Sequence, residues 1–468
     1  MRRLTVLALS ACLAACVAGP APEVATPAPE LPQTFFYAPD SASEAGLAAL
    51  MPSDDPAYRT LAEAALAGAP SLGEALARID AARAGAKRAG ANRLPNIGAD
   101  ASVTGTRTNP DQFGANSAFT QFIDTERVSY GANITARWDA DIFGQLRAQE
   151  RAALARVDAA SASAAAVRIA LLAEIAGSVT DWRTLAARTA AISSDAEAAQ
   201  RLADLAKARE DAGIAPGFDR VRAEAAASAS ASRLAALESE RVRIVGRLVT
   251  LTGQPAAAVN AALAQAAPAN TAPPAPASLP SELLANRPDV AAAAAELAAT
   301  DADLAAAARA RFPKLTLSAV LGVLAFDLGG LFDEDSIVGT LAGSVAGPLI
   351  DFGRIEAEID GAAANKRIAF EAYRGAVYQA LGDAEAAYGL VDAADKEAAL
   401  AARERDQLQR AASLAHDRNR AGLASFLEVL EARRAADASG ERAEAALGRA
   451  QRARIVLWQA LGGDYAGG

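Results

Sequence analysis

The chain has very few of the residues that catalysis and covalent cross-linking use. It has two cysteines in 468 residues, Cys12 and Cys16, and one histidine, His416. Both cysteines lie within the first sixteen positions, so no disulfide framework and no cysteine-based metal site is available to the rest of the chain. A lone histidine leaves a histidine-based triad without a second candidate and excludes a multi-histidine metal centre. Phosphate-binding glycine loops and dinucleotide fingerprints are missing as well, so the sequence offers no catalytic constellation and no metal or cofactor ligands. Aromatic residues make up 5% of the chain, too few for a bulky core. The net charge of −10 argues against nucleic acid as a partner. Past the N-terminal segment no apolar run approaches the ~20 residues of a spanning helix. A chain with this pattern crosses a membrane only as a β-barrel, the other structure that satisfies its own backbone in lipid.

What is abundant is alanine, the strongest helix former, which also lets helix backbones approach closely. The N-terminus adds an address. Arg2 and Arg3 precede the short apolar stretch Leu4 to Leu13, which ends in Leu13-Ala14-Ala15-Cys16. Residues 1–15 read as an export signal. The ending resembles the bacterial lipobox, making Cys16 the acylated first residue of the mature chain; an ordinary secretory cleavage site is the alternative. Val17 rather than Asp after the cysteine favours the outer membrane. The covalent lipid on Cys16 is the only prosthetic group expected.

The sequence repeats itself. Phe143-Gly144 recurs as Phe352-Gly353, and Ala212-Gly213-Ile214-Ala215 recurs as Ala421-Gly422-Leu423-Ala424, both at a shift of 209. Leu251-Thr252-Gly253 and Leu461-Gly462-Gly463 close the two copies at 210, and Arg93-Leu94-Pro95 matches Arg311-Phe312-Pro313 at 218. Each half carries one plan: a helix, two strands, a very long helix, a tight turn and another helix. Ile97, Ala99, Ala101, Val103 and Gly105 alternate with polar neighbours, as do Val128, Tyr130, Ala132, Ile134, Ala136 and Trp138. Leu315, Leu317, Ala319, Leu321 and Val323, then Leu341, Val345 and Leu349, repeat the pattern more weakly. This period of two gives each strand one apolar and one polar face, at a length suited to a tilted membrane strand.

The expected organisation is therefore a membrane β-barrel combined with a long α-helical barrel, built from a duplicated half. A lipidated tether and equatorial segment covers 16–56. The first repeat covers 57–255, with strands at 96–108 and 127–142 and helices at 144–211 and 218–253. An Ala/Pro-rich linker spans 256–280. The second repeat covers 281–463, with strands at 314–326 and 337–351 and helices at 353–420 and 426–462; a tail of 464–468 follows. Four strands cannot close a barrel, and eight is the usual minimum, so at least two copies must assemble.

Four segments carry a resemblance to a known family: Leu283-Leu284-Ala285-Asn286-Arg287-Pro288-Asp289-Val290, Ala310-Arg311-Phe312-Pro313-Lys314-Leu315, Gly347-Pro348-Leu349-Ile350-Asp351-Phe352-Gly353-Arg354, and the run from Arg420 to Ala432. In this order they resemble the TolC-like outer-membrane factors, specifically the NodT-type lipoproteins, over essentially the whole mature chain. The resemblance implies a homotrimer with a twelve-stranded barrel in outer-membrane lipid and a twelve-helix barrel through the periplasm. It also implies an equatorial girdle, docking to a periplasmic adaptor and an inner-membrane pump of the resistance-nodulation-division type, and a passive duct for expelling drugs, metals or other small molecules. Leu427 and Glu431 match positions that narrow the periplasmic aperture, and the shift of 209 gives Phe218 and Arg222 as their first-half equivalents. Gly213, Asp219, Gly422 and Ser425 fall at the adaptor-docking tips. Asn419 stands where the family often has an aromatic residue, and Glu431 where it commonly has Asp. His416 reads as an exposed helix residue. A lipid-anchored coiled-coil scaffold and the outer-membrane component of a protein secretion system are the alternatives; a scaffold has no use for four matched amphipathic strands.

Overall fold

The computed structural model describes residues 22–39, 46–109, 126–214, 216–268, 273–277 and 285–465. Cys16 and the signal segment lie outside the described residues. In chain order the main elements are α1 (Pro56–Gly68), α2 (Pro70–Ala91), β1 (Asn96–Arg107), β2 (Glu126–Ala140), α3 (Gln145–Asp211), α4 (Gly217–Thr252) and α5 (Ala256–Leu263). The second half continues with α6 (Pro288–Arg309), β3 (Lys314–Ala325), β4 (Ile337–Ala346), α7 (Arg354–Arg420) and α8 (Phe426–Ala460). The order helix, two strands, long helix, shorter helix thus occurs twice. Three elements differ from the expectation. β4 stops at Ala346 rather than 351, because Pro348 has no N–H to extend the ladder. α5 forms inside the segment read as linker, and α1 is a separate helix opened by Pro56 at its first position and by the Asp55 carboxylate, which accepts from the Ala57 N–H at 2.8 Å.

α3 and α7 have 67 residues each, and at ~1.5 Å per residue each runs on the order of 100 Å. Neither contains proline. Carboxylates satisfy their first orphan N–H groups: Asp141 accepts from Leu146 and Arg147 at 3.0 and 2.8 Å, and Asp351 from Ile355 at 2.8 Å. α3 also corrects the reading of apolar runs, because one 18-residue window reaches a mean hydropathy of 1.5 with 61% of it buried. Its alanines and aliphatics are the inside of a helix bundle.

The chain divides into two compact units that cut across the two repeats, each unit taking pieces of both. One comprises Met1–Pro27, Asp80–Asp158 and Ala295–Glu371. It holds an antiparallel sheet in the order β1-β2-β3-β4. Beneath the strands, the Phe143 and Phe312 rings stack with centroids 4.7 Å apart, and Arg309 Nη1 donates to the Gly144 carbonyl at 3.2 Å.

The other unit comprises Ala28–Ile79, Ala159–Ala294 and Ala372–Gly468. Here α1 (Leu61, Ala65) and α5 (Val259, Leu263) cover Ile175, Val179 and Trp182 of α3 and Leu248 of α4. Asp55 ties these elements together: Arg183 of α3 donates to both its oxygens at 2.9 and 3.0 Å and to the Leu263 carbonyl at 3.0 Å. A second core joins Phe35, Leu50 and Met51 to α3, α7 and α8 around the fully buried Tyr388. α8 and α3 approach closely at Gly448, where a Cβ would press directly on the Thr184 side chain.

Candidate functional site

Two places in the fold concentrate the features of a membrane passage: the sheet, and the pair of helix-turn-helix tips. The sheet is decided by its register. Residues directly opposite one another share a face. Ala99 opposes Ile134, which opposes Leu321, which opposes Gly339; Ala101, Ala132, Val323 and Ile337 form the next such row. The apolar alternates predicted on the four strands fall on this one face, except Leu349, which lies beyond the end of β4 at Ala346. The opposite face carries Asp100, Ser102, Thr104, Asn133, Arg137, Asp139, Thr316 and Ser344, with Asn133 donating to Asp100 at 3.2 Å and Thr316 to Asp139 at 2.7 Å. On the apolar face Val103, Leu321, Leu341 and Val345 are exposed, and β4 is exposed along its whole length. Among the described residues, β1 and β4 each have a partner on one side only.

The tips are built alike. After Asp211 the Gly213 N–H donates to Glu210 O and the Ile214 N–H to Arg209 O, both at 2.8 Å; after Arg420 the Gly422 N–H reaches Asn419 O at 2.9 Å and the Leu423 N–H reaches Arg418 O at 2.8 Å. Both are Schellman closures, and they require the left-handed conformation that Gly213 (φ +71°) and Gly422 (φ +75°) supply. The helices that follow start differently. Ser425 and Glu428 form a capping box at α8, and the Ser425 N–H holds the Glu428 carboxyl below its usual range. Asn419, at the position where an aromatic was the family's habit, donates to the Ala424 carbonyl at 2.8 Å and braces the same turn. α4 opens after Pro216 with no side-chain cap, and its tip is held instead by Arg220, which pairs with Glu210 of α3 at 2.6 Å and with Glu224 at 2.8 Å.

The four aperture candidates come from two helices, and the fold brings two of them together. Arg222 Nη2 of α4 lies 3.5 Å from Glu431 Oε1 of α8, and the same guanidinium lies over the Phe218 ring at 5.4 Å. Glu431 is therefore not a bare carboxylate. Leu427, one turn before it, is half-buried, and Phe218 is 65% exposed. Asp219 sits in the first turn of α4 and is half-buried. Phe426 packs on Ala203, Ala206 and Ala223, so all three neighbouring helices meet just behind the tips.

One pair was not foreseen. Asp195 of α3 and Asp437 of α8 share a hydrogen bond, and Asp195 is 7% exposed with one carboxylate oxygen unpartnered. Burial, then the hydrogen bond and charge of Asp437, push the Asp195 carboxyl up to about 7, against Arg433 and Arg233. The pair borders a groove of about 780 Å³ that also meets Arg201, Arg433 and the exposed His416. The two aspartates are 242 positions apart, so no local spacing marks them.

The family model of the outer membrane efflux proteins matches residues 61–254 and 279–463, one match in each repeat. The chain belongs to the outer membrane efflux protein family. Its similarity to individual members runs nearly end to end. It is 31% identical over 414 residues to the pyoverdine export outer membrane protein OpmQ of Pseudomonas aeruginosa, covering 88% of this chain and 86% of that one. It is 26% identical to nodulation protein T of Rhizobium leguminosarum bv. trifolii over 99% of this chain and 97% of that protein. The solved outer-membrane channel OprN superposes with a TM-score of 0.84 at 26% identity, over 95% of this chain and 99% of that one. The efflux protein reading thus accounts for both halves at once, and it places the chain in the outer membrane.

Proposed function

We propose that the chain is the outer-membrane duct of a tripartite efflux system, a trimer whose twelve strands close a barrel in the lipid and whose long helices line the passage through the periplasm. The observation that carries this reading is the sheet: four strands, one predominantly apolar face, and two edges without partners among the described residues. In lipid an unpaired strand edge leaves backbone N–H and C=O groups with nothing to bond, so the sheet is complete only when other copies supply the missing edges. The apolar face then meets lipid and the polar face lines water. Cys16, acylated, adds an anchor beside the barrel. The capped tips around Gly213 and Gly422, with Asp219 and Ser425, form the docking surface for a periplasmic adaptor, which joins the duct to an inner-membrane pump of the resistance-nodulation-division type. The duct itself performs no chemistry: it conducts what the pump delivers, drugs, metals or other small toxic molecules.

The aperture is closed by exchangeable contacts rather than a packed core. Arg222 and Glu431 bridge α4 and α8 near the tip, with Leu427 and Phe218 narrowing the space beside them. The test is reconstitution of the purified full-length protein in planar bilayers. Discrete ion-conducting channels are expected; a protein that binds membranes without conducting supports the scaffold alternative instead.

A further inference from the structure

α3 and α8 lie side by side and antiparallel, and most contacts along their seam are complementary. Nearest the tip Phe426 packs on Ala203 and Ala206. Further up, Arg188 pairs with Glu441 at 2.8 Å, Gly448 fits against Thr184, and Arg452 pairs with Asp181 at 2.8 Å. Asp195 and Asp437 interrupt this series with two groups of like charge. They stand the same number of residues from Ala206 and Phe426, about 16 Å along each helix. Two ionised carboxylates in contact repel, and a single shared proton turns that repulsion into a hydrogen bond.

The surroundings do not remove the conflict. Arg433 of α8 lies 3.2 Å from Asp437 and balances one charge. Arg233 of α4 acts on Asp195 at longer range while donating to Ser230 at 3.0 Å, and Arg201 of α3 lies 3.7 Å from Glu197. From α7 the exposed His416 borders the same groove. One oxygen of the buried Asp195 still has no partner. Nor does the fold demand the pair: the shift of 209 gives Glu404 and Ser228 as its repeat equivalents, and Glu404 is paired with Arg442. The pair also stands at a telling place. Phe426 and Asp437 are the two points that fasten the start of α8 to α3, and the stretch between them carries Leu427 and Glu431.

We propose that Asp195 and Asp437 form a proton-operated catch between α3 and α8: with one shared proton it holds the start of α8 against α3, and with both carboxylates ionised it frees that stretch and favours the open aperture. This rests on the reading that Leu427 and Glu431 border the aperture, and it adds a control by pH. Burial and then Asp437 raise the Asp195 carboxyl to about 7 in the held arrangement, from an ordinary 3.8. The held arrangement therefore binds the proton more tightly and loses its advantage as pH rises from about 4 to about 7. Each pair shifts the ratio of open to closed channels by up to about tenfold per pH unit in that window.

The experiment combines single-channel recording of the purified full-length protein from pH 5 to pH 8 with a direct readout of the seam. Nitroxide labels on Glu197→Cys and Ala435→Cys, both exposed and opposite each other across the seam, report the separation of α3 and α8, and singly labelled proteins identify distances between copies. In the parent, opening and label separation should both rise with pH. In Asp195→Asn and Asp437→Asn, where an amide supplies the hydrogen bond without a titrating proton, both should stay low and flat, while His416→Gln should respond like the parent. A pH response that survives in both asparagine variants, or that disappears in His416→Gln, would overturn the catch. So would a parent insensitive to pH in which Arg222→Gln still raises opening, and that result would leave the aperture reading standing. A separation that follows pH while opening answers neither pH nor Arg222→Gln would overturn the aperture reading and the coupling with it.

Discussion

Neutralising either member of the Arg222–Glu431 pair should loosen the aperture by an amount the geometry bounds. The charged atoms are 3.5 Å apart, with side chains 35% and 62% exposed. In a water-like dielectric two unit charges at that distance attract by about 1 kcal/mol, and exposed pairs contribute about 0.2–1 kcal/mol net after side-chain ordering. Three copies closing one aperture sum to about 0.6–3 kcal/mol. At 1.4 kcal/mol per tenfold, that is a rise of about 3-fold to about 100-fold in the ratio of open to closed channels. Arg222→Gln and Glu431→Gln should each show the rise in single-channel recordings, and the double variant should show no more than Arg222→Gln alone. Because Phe218 shares the guanidinium, Arg222→Gln also removes a cation–π contact and should be the larger of the two. In 1 M salt, where charges are screened beyond about 3 Å, the effect should shrink. Strictly additive single effects, or no change in either variant, would show that the pair does not hold the aperture.

Other consequences follow from particular residues. Labelling with palmitate should depend on Cys16 and vanish in Cys16→Ala; labelling that survives would refute lipidation there. Asp195 holds a proton at a pH where the unfolded chain, with an ordinary value of 3.8, has released it. Its folded value is raised, so its contribution falls as pH rises from about 4 and levels off above about 7. The parent should therefore lose thermal stability between pH 5 and pH 8 relative to Asp195→Asn, whose amide donates to Asp437 without a titrating proton; parallel profiles would remove the proton from the pair. Gly448→Val should push α8 off α3 at Thr184 and cost about 1–3 kcal/mol by overpacking, read as a lowered unfolding midpoint. An unchanged midpoint would show that this approach has slack.

The repeats and strands were legible because their signals are local and doubled. Alternation over β1 and β2 is nearly unbroken, and β3 and β4, weaker alone, stand at matching offsets from the same landmarks. The tips were legible because a helix that ends in the left-handed region needs glycine there, and Gly213 and Gly422 recur at one shift. α1 and α5 were missed or read as linker because short alanine-rich stretches beside proline carry little periodicity. They are helices because they cover Ile175, Val179 and Leu248, which only the folded arrangement brings under them. The same limit hid the charged contacts. Arg222 and Glu431 were each singled out, but by different arguments, and their pairing depends on how α4 faces α8. Asp195 and Asp437 meet only where α3 lies along α8, in a chain where most helix carboxylates are solvated.

The central claim is that this chain becomes a duct only by closing its sheet with other copies. Native mass measurement of the full-length protein extracted from outer membranes into mild detergent tests it directly. The account predicts particles of three chains that conduct ions when returned to a bilayer. A monomeric particle that conducts would contradict it, because four strands with two open edges would then have to form a pore alone.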